Sequence, residues 1–407
     1  MTARDFLKKY HQLPEQMDEE VCLKKLKESA DLGLAGNGGL PMILSYLPGS
    51  VAAPEDGTCA VMDAGGTNLR TAMARFEKGH CRILDIRTVP MPGSGGAACS
   101  AEELYGQIAK ELTRFSGVKR LGCCFSYLVD MERNLDGRLR EWCKEIRCSD
   151  AVGQYVGKSI LGRLPGCETV TVLNDTAAAY LGAKQKLGSD GEAVVGLIMG
   201  TGVNVCYSER RENLVKLEAD ILCPDMIINT EVCEFDGIPL GEFERRVILR
   251  TDDPSASRAE KQCSGAYLGD IILEALREAK EEGFLVRIPE SLALSAVSDL
   301  LENKNSTHRA LFEETDLPFV LQLLDTMVDR SAKIGAILCA EFVRRTGRED
   351  SETVIVAEGS LFWKMHRFPE RFCRELKLLL PQIPFQIREG AGACLEGAAV
   401  AAFGKGV

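Results

Sequence analysis

Two glycine-containing turns, each flanked by apolar runs, are the segments of this sequence best suited to binding phosphate. The first is "VMDAGGTNLR" at residues 61–70, and the second is "MGTGVN" at residues 199–204. Glycine lets the backbone approach a ligand closely, and the N–H groups of such turns can point at one anion. Each turn alone is also what an ordinary β-hairpin needs. Because the same strand–turn–strand unit occurs in both halves of the chain, we expect the two turns to face one polyphosphate across a cleft.

A third polar segment, "VLNDTAAAY", could supply a carboxylate for proton transfer. It places Asn174 and Asp175 where an apolar, strand-like run meets a helical one. A general base must lie close to the proton that it accepts, and a carboxylate can serve as one. Asp175 is a candidate for that role, but an Asp at such a junction can also be a helix N-cap. The residues alone leave both interpretations open.

The elements that must position these residues follow from apolar spacing and turn residues. A helix is predicted in "MDEEVCLKKLKESADLGLAG", ending at Gly36, and another begins at a capping box formed by Ser100 and Glu103. From about Thr58 strands dominate, including "TCAVMD", "LRTAMARF", "RLGCCFSYLV" and "ETVTVLND". After the second glycine turn the chain is mainly helical, until the strand "TVIVAEGSLF" and a last helix, "GAGACLEGAAVAAF". This order predicts an α/β protein with a mixed sheet, and two domains that share a hinge.

Composition narrows the class of ligand. The 407 residues include 49 Lys and Arg and 60 Asp and Glu, a net charge of −11, and no long basic run. These features argue against a nucleic-acid or anionic-membrane surface and favour a small ligand. No apolar stretch has the length of a signal peptide or a membrane span, so we expect a soluble, cytoplasmic protein. The 16 cysteines contain no C-x-x-C pair and the four histidines are scattered, which predicts reduced, mostly buried thiols and no zinc site.

Several motifs together carry a family resemblance. "DAGGTNLR", "MGTGVN" and "VAEGSLFWKMHRFPERF" resemble the two phosphate motifs and the adenosine motif of the hexokinase family, of the eukaryotic hexokinase and glucokinase type. "LGLAGNGGLPMILSYLP" and "GAGACLEGAAVAA" are similar to further family segments and occur in the family's order. The resemblance implies an α/β, two-domain actin-like ATPase (ribonuclease H-like) fold with an interdomain cleft. It implies a small domain of 58–174 plus 391–407 and a large domain of 1–57 plus 175–390.

The resemblance also implies a site for ATP and Mg²⁺. Asp63 would hold Mg²⁺, while Arg70 and Thr201 would approach the β- and γ-phosphates. The absence of a Walker lysine fits, because this fold binds ATP between two hairpin turns. The nucleotide-binding residues implied are Asp63, Gly65, Gly66, Thr67, Asn68, Arg70, Gly200, Thr201, Gly202, Gly359 and Ser360.

The sugar-binding positions of the family can be followed one at a time. In a hexokinase-like chain Asp175 is the general base, with Lys144 as a second catalytic residue. The implied sugar-binding residues are Ser126, Cys143, Lys144, Asn174, Asp175, Asn204, Glu231 and Glu260. Taken singly, each could be an ordinary surface or cap residue. The chain also departs from the family pattern: Leu128 replaces a proline, Cys143 a threonine, Glu145 a glycine and Val232 a tryptophan. These departures put sugar affinity and sugar choice in question.

The resemblance implies an enzyme that uses ATP and Mg²⁺ to phosphorylate the 6-hydroxyl of glucose or a similar hexose, such as mannose or fructose. The products would be hexose 6-phosphate and ADP, as in the first step of glycolysis, and the enzyme would be a monomer or homodimer. Two rival interpretations are a non-catalytic sugar-sensing homologue and a kinase of the same fold for another polyol or an amino sugar. The retained Asp63, Asp175 and both glycine turns argue against the first, while Cys143 and Val232 give some weight to the second.

Overall fold

The computed structural model describes residues 2–94, 98–115, 117–142, 146–187, 193–346 and 352–406. The helices are α1 (Ala3–Lys9), α2 (Glu19–Ala35), α3 (Ala101–Leu112), α4 (Val156–Leu161), α5 (Asp175–Leu187), α6 (Glu242–Ile248), α7 (Glu260–Cys263), α8 (Leu268–Glu281), α9 (Leu294–Glu302), α10 (Leu317–Thr346), α11 (Ser360–Lys364), α12 (Phe368–Leu379) and α13 (Ala393–Ala401). The strands are β1 (Ile43–Leu44), β2 (Asp56–Ala64), β3 (Asn68–Glu77), β4 (His80–Pro90), β5 (Arg120–Phe125), β6 (Leu128–Met131), β7 (Gly137–Glu141), β8 (Thr169–Leu173), β9 (Ala193–Met199), β10 (Val203–Arg210), β11 (Asp225–Asn229), β12 (Thr353–Glu358) and β13 (Phe385–Glu389).

Two mixed sheets form the framework. One has the strand order β4-β3-β2-β5-β8, and the other has the order β1-β11-β10-β9-β12-β13. Each sheet contains one antiparallel hairpin whose turn is one of the two glycine segments: β2 with β3, and β9 with β10. Parallel strands lie directly beside each hairpin, β5 beside β2 and β12 beside β9. The mixed α/β sheet character predicted from the sequence is therefore confirmed, and each glycine turn lies beside the carboxyl end of a parallel strand.

Helices α5 and α13 pack against each other through small residues. A Cβ on Gly182 of α5 would lie 2.2 Å from the Ala393 carbonyl oxygen, and one on Gly397 of α13 would lie 1.8 Å from that of Ala178. On the side of β5, a Cβ on Gly122 would lie 2.0 Å from the Ala398 carbonyl oxygen. Such contacts leave no room for larger side chains. The glycine and alanine content of the last helix is thus explained by close packing.

Local signals in the sequence predicted several element ends correctly. Helix α2 ends at Gly36, whose φ of 73° is the left-handed C-cap conformation that favours glycine. Ser100 caps α3, and its reciprocal bonds with Glu103 form the predicted capping box. Two predictions were wrong: "TVIVAEGSLF" is a strand only as far as Glu358, since α11 begins at Ser360, and "RLGCCFSYLV" is two strands, β5 and β6. The Ser126 N–H still bonds to the Ala64 carbonyl oxygen, but the chain then leaves the sheet and pairs with β7.

The cysteines of the described residues are free thiols, as the sequence predicts. Cys59, Cys206 and Cys339 are each 0% exposed and pack in the main hydrophobic core. They therefore act as small apolar side chains. In the described part of the chain no helix combines the length and the apolar character needed to cross a membrane.

Candidate active site

The first glycine turn joins β2 to β3 and carries a charged pair. The Gly65 N–H donates to the Asn68 carbonyl oxygen at 3.0 Å, and the Tyr127 hydroxyl donates to the Gly65 carbonyl oxygen at 2.7 Å. Asp63 and Arg70 are directly paired across the two strands, with Nη1 of Arg70 3.4 Å from Oδ2 of Asp63. Arg70 is exposed and the Asp63 side chain is 14% exposed. The Asp63 carboxylate and the Arg70 guanidinium therefore lie beside a turn whose backbone is partly exposed.

The second glycine turn joins β9 to β10 and is held from two sides. The Gly265 N–H donates to the Gly200 carbonyl oxygen at 2.8 Å, and the Ala266 N–H donates to that of Thr201 at 3.1 Å. On the other side Gly359 has a φ of 119°, and a Cβ there would lie 2.3 Å from the Met199 carbonyl oxygen. The Thr201 side chain is exposed, while the backbone of this turn is held by hydrogen bonds on one side and by close packing on the other.

A cavity of about 340 Å³ opens beside the second turn. It is lined by Thr201, Gly265, Ala266, Leu294, Ser295, Ser360, Leu361, Lys364 and Met365. The lining combines apolar side chains, hydroxyl groups and one lysine, and it joins the second turn to the segment that contains Gly359 and Ser360. Its position and chemistry suit the base and sugar of a nucleotide whose phosphates lie at the turn.

Asn174 and Asp175 lie where β8 ends and α5 begins. The Thr176 N–H is 2.9 Å from Oδ1 of Asn174 and equally 2.9 Å from Oδ1 of Asp175, and the Thr176 hydroxyl donates to Oδ1 of Asn174 at 2.6 Å. Because α5 begins at Asp175, the N-cap position belongs to Asn174, whose Oδ1 accepts from the second residue of the helix; the capping role predicted for Asp175 falls to Asn174 instead. Asp175 itself is half-buried.

The predicted sugar residues Asn204 and Glu231 are joined by Asn229. The side-chain amide of Asn204 donates to Oδ1 of Asn229 at 2.8 Å, and the amide of Asn229 donates to Oε1 of Glu231 at 2.6 Å. Oδ1 of Asn229 also lies 3.5 Å from the Thr176 hydroxyl. One chain of polar contacts therefore runs from the start of α5 across β10 and β11 to Glu231.

Glu260, another of the predicted sugar-binding residues, lies against the second glycine turn. Its Oε2 accepts a hydrogen bond from the Val203 N–H at 3.1 Å. A Cβ on Gly202 would lie 2.3 Å from the same oxygen. A side chain at position 202 would therefore displace this carboxylate from the turn.

Burial and neighbouring charges raise the pKa of two carboxyl groups in this region. The pKa of Glu231 is raised mainly by burial and further by Asp175, while the bonds from Asn229 and Cys233 act in the opposite direction. The pKa of Glu358, at the end of β12, is raised to about 7 by burial and by the charges of Asp63 and Asp175. The charge of Asp175 therefore acts on both Glu231 and Glu358, and that of Asp63 acts on Glu358; we call these four residues the acidic centre.

The remaining predicted residues lie in the first turn, near the ends of strands, or outside the described residues. Ser126 is buried and follows β5, which pairs with β2. Gly66, Thr67 and Asn68 complete the first turn. Cys143, Lys144 and Glu145 lie outside the described residues. Val232, at the family's tryptophan position, is fully buried, whereas Leu128 begins β6.

Three residues that contact or adjoin the predicted site residues were not predicted from the sequence. Asn229 ends β11 two positions before Glu231, but its bond to Asn204 forms only when β10 and β11 pair, so its role had no local signal. Glu358 ends an apolar strand immediately before Gly359, the same pattern that singled out Asp63. The role of Tyr127 in holding the first turn depends on a contact between distant residues and had no local signal.

The donor set at Asp63 suits Mg²⁺ held jointly with a nucleotide. Within the described ranges no three His, Cys, Asp or Glu side chains are grouped as a complete metal site. Mg²⁺ usually keeps several waters and binds through one or two carboxylates plus substrate phosphates. Asp63 is a partly exposed carboxylate at the turn expected to meet those phosphates.

Comparisons with known proteins agree on one family. Two family models, both described as hexokinase, match residues 2–184 and 194–404. Hexokinase-1 of Oryza sativa is 28% identical over 401 residues, covering 85% of this chain and 79% of the relative. Hexokinase-1 of Schizosaccharomyces pombe is 27% identical over 416 residues, covering 90% of this chain and 84% of the relative.

A solved structure shows the same fold along the whole chain. The hexokinase from Schistosoma mansoni complexed with glucose has a TM-score of 0.84 and 26% identity, covering 99% of this chain and 100% of the other. The predicted two-domain, actin-like α/β fold is confirmed.

Proposed function

Because the chain belongs to the hexokinase family and is thus a hexose kinase, we propose that it transfers the γ-phosphoryl group of ATP to the 6-hydroxyl of glucose or a similar hexose. The products are hexose 6-phosphate and ADP, as in the first step of glycolysis. The observation that supports this proposal is the polar network at the start of α5, where Asp175 follows Asn174. From Thr176, hydrogen bonds lead through Asn229 to the predicted sugar residues Asn204 and Glu231. We propose that Asp175 acts where the sugar and the nucleotide meet.

In the proposed reaction Asp175 is the general base. Its carboxylate accepts the proton of the 6-hydroxyl as that oxygen forms a bond to the γ-phosphorus, and the bond from the γ-phosphorus to the bridging oxygen of ADP breaks. The remaining residues position the hydroxyl groups. Asn174, Asn204, Glu231 and Glu260 supply donors and acceptors, with Ser126, Cys143 and Lys144 from the smaller domain, and Lys144 as a second catalytic residue.

The nucleotide is proposed to lie between the two glycine turns. Arg70 and Thr201 supply a cation and a hydroxyl to the phosphates, while Gly65, Gly66, Gly200 and Gly202 admit them to the backbone. Mg²⁺, held at Asp63, would offset charge on the β- and γ-phosphates. The cavity bounded by Ser360 and Lys364 would receive the nucleoside.

Domain closure would complete the site. We propose 58–174 plus 391–407 as the small domain and 1–57 plus 175–390 as the large one, since strands β2–β5 and β8 make one sheet and β9–β13 with β1 the other. Closure over the hexose would exclude water, so that ATP is not hydrolysed in place of phosphoryl transfer. We further propose that the enzyme acts in the cytoplasm as a monomer or homodimer.

The test is ADP formation from Mg-ATP with glucose, mannose, fructose and an amino sugar, for the natural enzyme and Asp175→Asn. We expect sugar-dependent ADP formation, and a kcat at least about 10²-fold lower in Asp175→Asn with sugar binding kept. Near-natural turnover in Asp175→Asn would remove Asp175 from the mechanism. Sugar binding with no ADP formation by the natural chain would support a sugar-sensing protein.

A further inference from the structure

Each carboxylate oxygen of Glu231 accepts a hydrogen bond from a residue two positions away in the sequence. The Asn229 amide donates to Oε1 at 2.6 Å, and the Cys233 thiol donates to Oε2 at 3.3 Å. The two donors lie on either side of Glu231 in the sequence, one at the end of β11 and one in the 3₁₀ turn Val232–Glu234. The direction of this carboxylate is therefore set by two groups of its own segment.

The backbone of this segment adopts an unusual conformation that makes the arrangement possible. Glu231 has φ 49° and ψ 46°, the left-handed region that costs a residue with a Cβ roughly 1–2 kcal/mol. The Thr230 hydroxyl holds the turn: it donates to the Val205 carbonyl oxygen at 2.8 Å and accepts from the Val232 N–H at 3.2 Å. Non-glycine residues in this region cluster at ligand sites, where surrounding contacts enforce them.

The chemical state of Cys233 suits a donor. Burial raises its pKa well above the ordinary value, and the charges of Glu231, Glu260 and Glu234 act in the same direction. The group therefore remains a thiol, with its hydrogen available to Oε2. A thiol is a weak donor, while an ionised carboxylate has about four lone-pair sites. Oε2 is thus oriented by the thiol and still able to accept a hydrogen bond from a ligand hydroxyl.

We propose that Cys233 is a positioning residue for sugar binding, whose thiol fixes the Oε2 side of Glu231 in the direction that receives a hexose hydroxyl. This inference rests on the proposed function, in which Glu231 binds the sugar. The alternative is that Cys233, only 8% exposed, merely fills space in the core. Cys339 is a matched example of that alternative, because it is fully buried in α10 and burial alone raises its pKa.

The two roles differ in what substitution changes. Cys233→Ala removes the donor and about as much volume as Cys339→Ala removes elsewhere. If Cys233 positions Glu231, we expect the glucose Kd and KM of Cys233→Ala to rise about 3- to 10-fold, the range of one neutral hydrogen bond. The kcat at saturating glucose and the KM for ATP should stay within about twofold. Cys233→Ser, which keeps a donor of similar size, should restore the glucose Kd to within about twofold of the natural value.

The decisive experiment is a double-mutant cycle on glucose binding by isothermal titration calorimetry, with Cys233→Ala, Glu231→Gln, the pair together and Cys339→Ala. We expect the Cys233→Ala effect to be largely absent in the Glu231→Gln background, and Cys339→Ala to bind glucose like the natural chain. If Glu231→Gln weakens binding but Cys233→Ala behaves like Cys339→Ala, the positioning role is overturned and the proposed sugar site stands. If Glu231→Gln binds glucose normally, both the assignment of Glu231 to the sugar and the role of Cys233 are overturned.

Discussion

The two glycine turns share the strand–turn–strand pattern but differ in how closely the rest of the protein packs around them. The turn at Gly65 and Gly66 closes the β2–β3 hairpin, and a Cβ on Gly65 would meet nothing closer than the Asn68 carbonyl oxygen at 3.6 Å. The turn at Gly200 and Gly202 is enclosed by other segments, with a Cβ on Gly202 only 2.3 Å from Glu260 Oε2. Space is therefore much tighter around the second turn, where Gly359 packs against the Met199 backbone, than around Gly65.

This difference separates two reasons for glycine at a binding site. Beside the second turn the fold itself needs glycine at position 359, because a Cβ there would lie 2.3 Å from the Met199 carbonyl oxygen. In the first turn space remains around Gly65 in the protein, so a requirement for glycine there would come from the ligand. Stability and nucleotide binding should therefore respond in opposite ways to substitutions in the two regions.

The largest expected effect is on stability, from Gly359→Ala beside the second turn. Its φ of 119° and the 2.3 Å approach of a Cβ to the Met199 carbonyl oxygen should lower the free energy of unfolding by about 2–5 kcal/mol. Gly65→Ala is the matched control. It should change that free energy by less than about 0.5 kcal/mol while lowering kcat/KM for ATP at least about tenfold, as expected when a phosphate-directed backbone group is obstructed. Urea unfolding and steady-state kinetics measure both. Equal destabilisation by the two variants would contradict the comparison.

The next effect concerns Glu358, which precedes Gly359. The charge of Asp63, beside the first turn, contributes to raising its pKa. Burial raises its pKa to about 7 from the ordinary 4.5, so the folded protein binds more protons than the unfolded chain between these values. This contribution to stability is present below pH 4.5 and is lost as the pH rises through 7. Glu358→Gln should therefore be more stable than the natural protein at pH 8, by up to about 3 kcal/mol, with little difference at pH 4.5. Urea unfolding of both proteins at several pH values tests this, and a difference independent of pH would refute it.

The smallest effect is expected from Thr201→Val in the second turn. The change removes an exposed hydroxyl with almost no change in volume, and the Ala266 N–H bond to the Thr201 carbonyl oxygen is kept. We expect kcat/KM for ATP to fall about 3- to 10-fold, the range of one hydrogen bond. The glucose Kd should not change. Unaltered kcat/KM for ATP would mean that this turn has a structural role only.

Features set by neighbouring residues could be predicted from the sequence. The end of α2 at Gly36, the capping box of α3 and both glycine hairpins depend on residues a few positions apart. The division of "RLGCCFSYLV" could not be predicted in this way, because an apolar run does not show where its strand leaves the sheet.

The candidate site was predictable residue by residue but not as a network. Motif order pointed to Asn204 and Glu231, whereas Asn229 acquires its role only when β10 and β11 pair and place its amide between them. The contact of Glu260 with Gly202 likewise joins residues far apart in the sequence. Such contacts depend on the tertiary arrangement of strands and helices, and no local pattern encodes them.

We propose above all that this chain phosphorylates the 6-hydroxyl of a hexose. This activity is tested most directly by ³¹P NMR of the natural enzyme with Mg-ATP and either glucose or 6-deoxyglucose, which lacks only the acceptor oxygen. We predict ADP and one new phosphomonoester signal with glucose, and neither above the sugar-free background with 6-deoxyglucose. A phosphorylated product from 6-deoxyglucose, or no phosphorylated product from any hexose tested, would contradict the account.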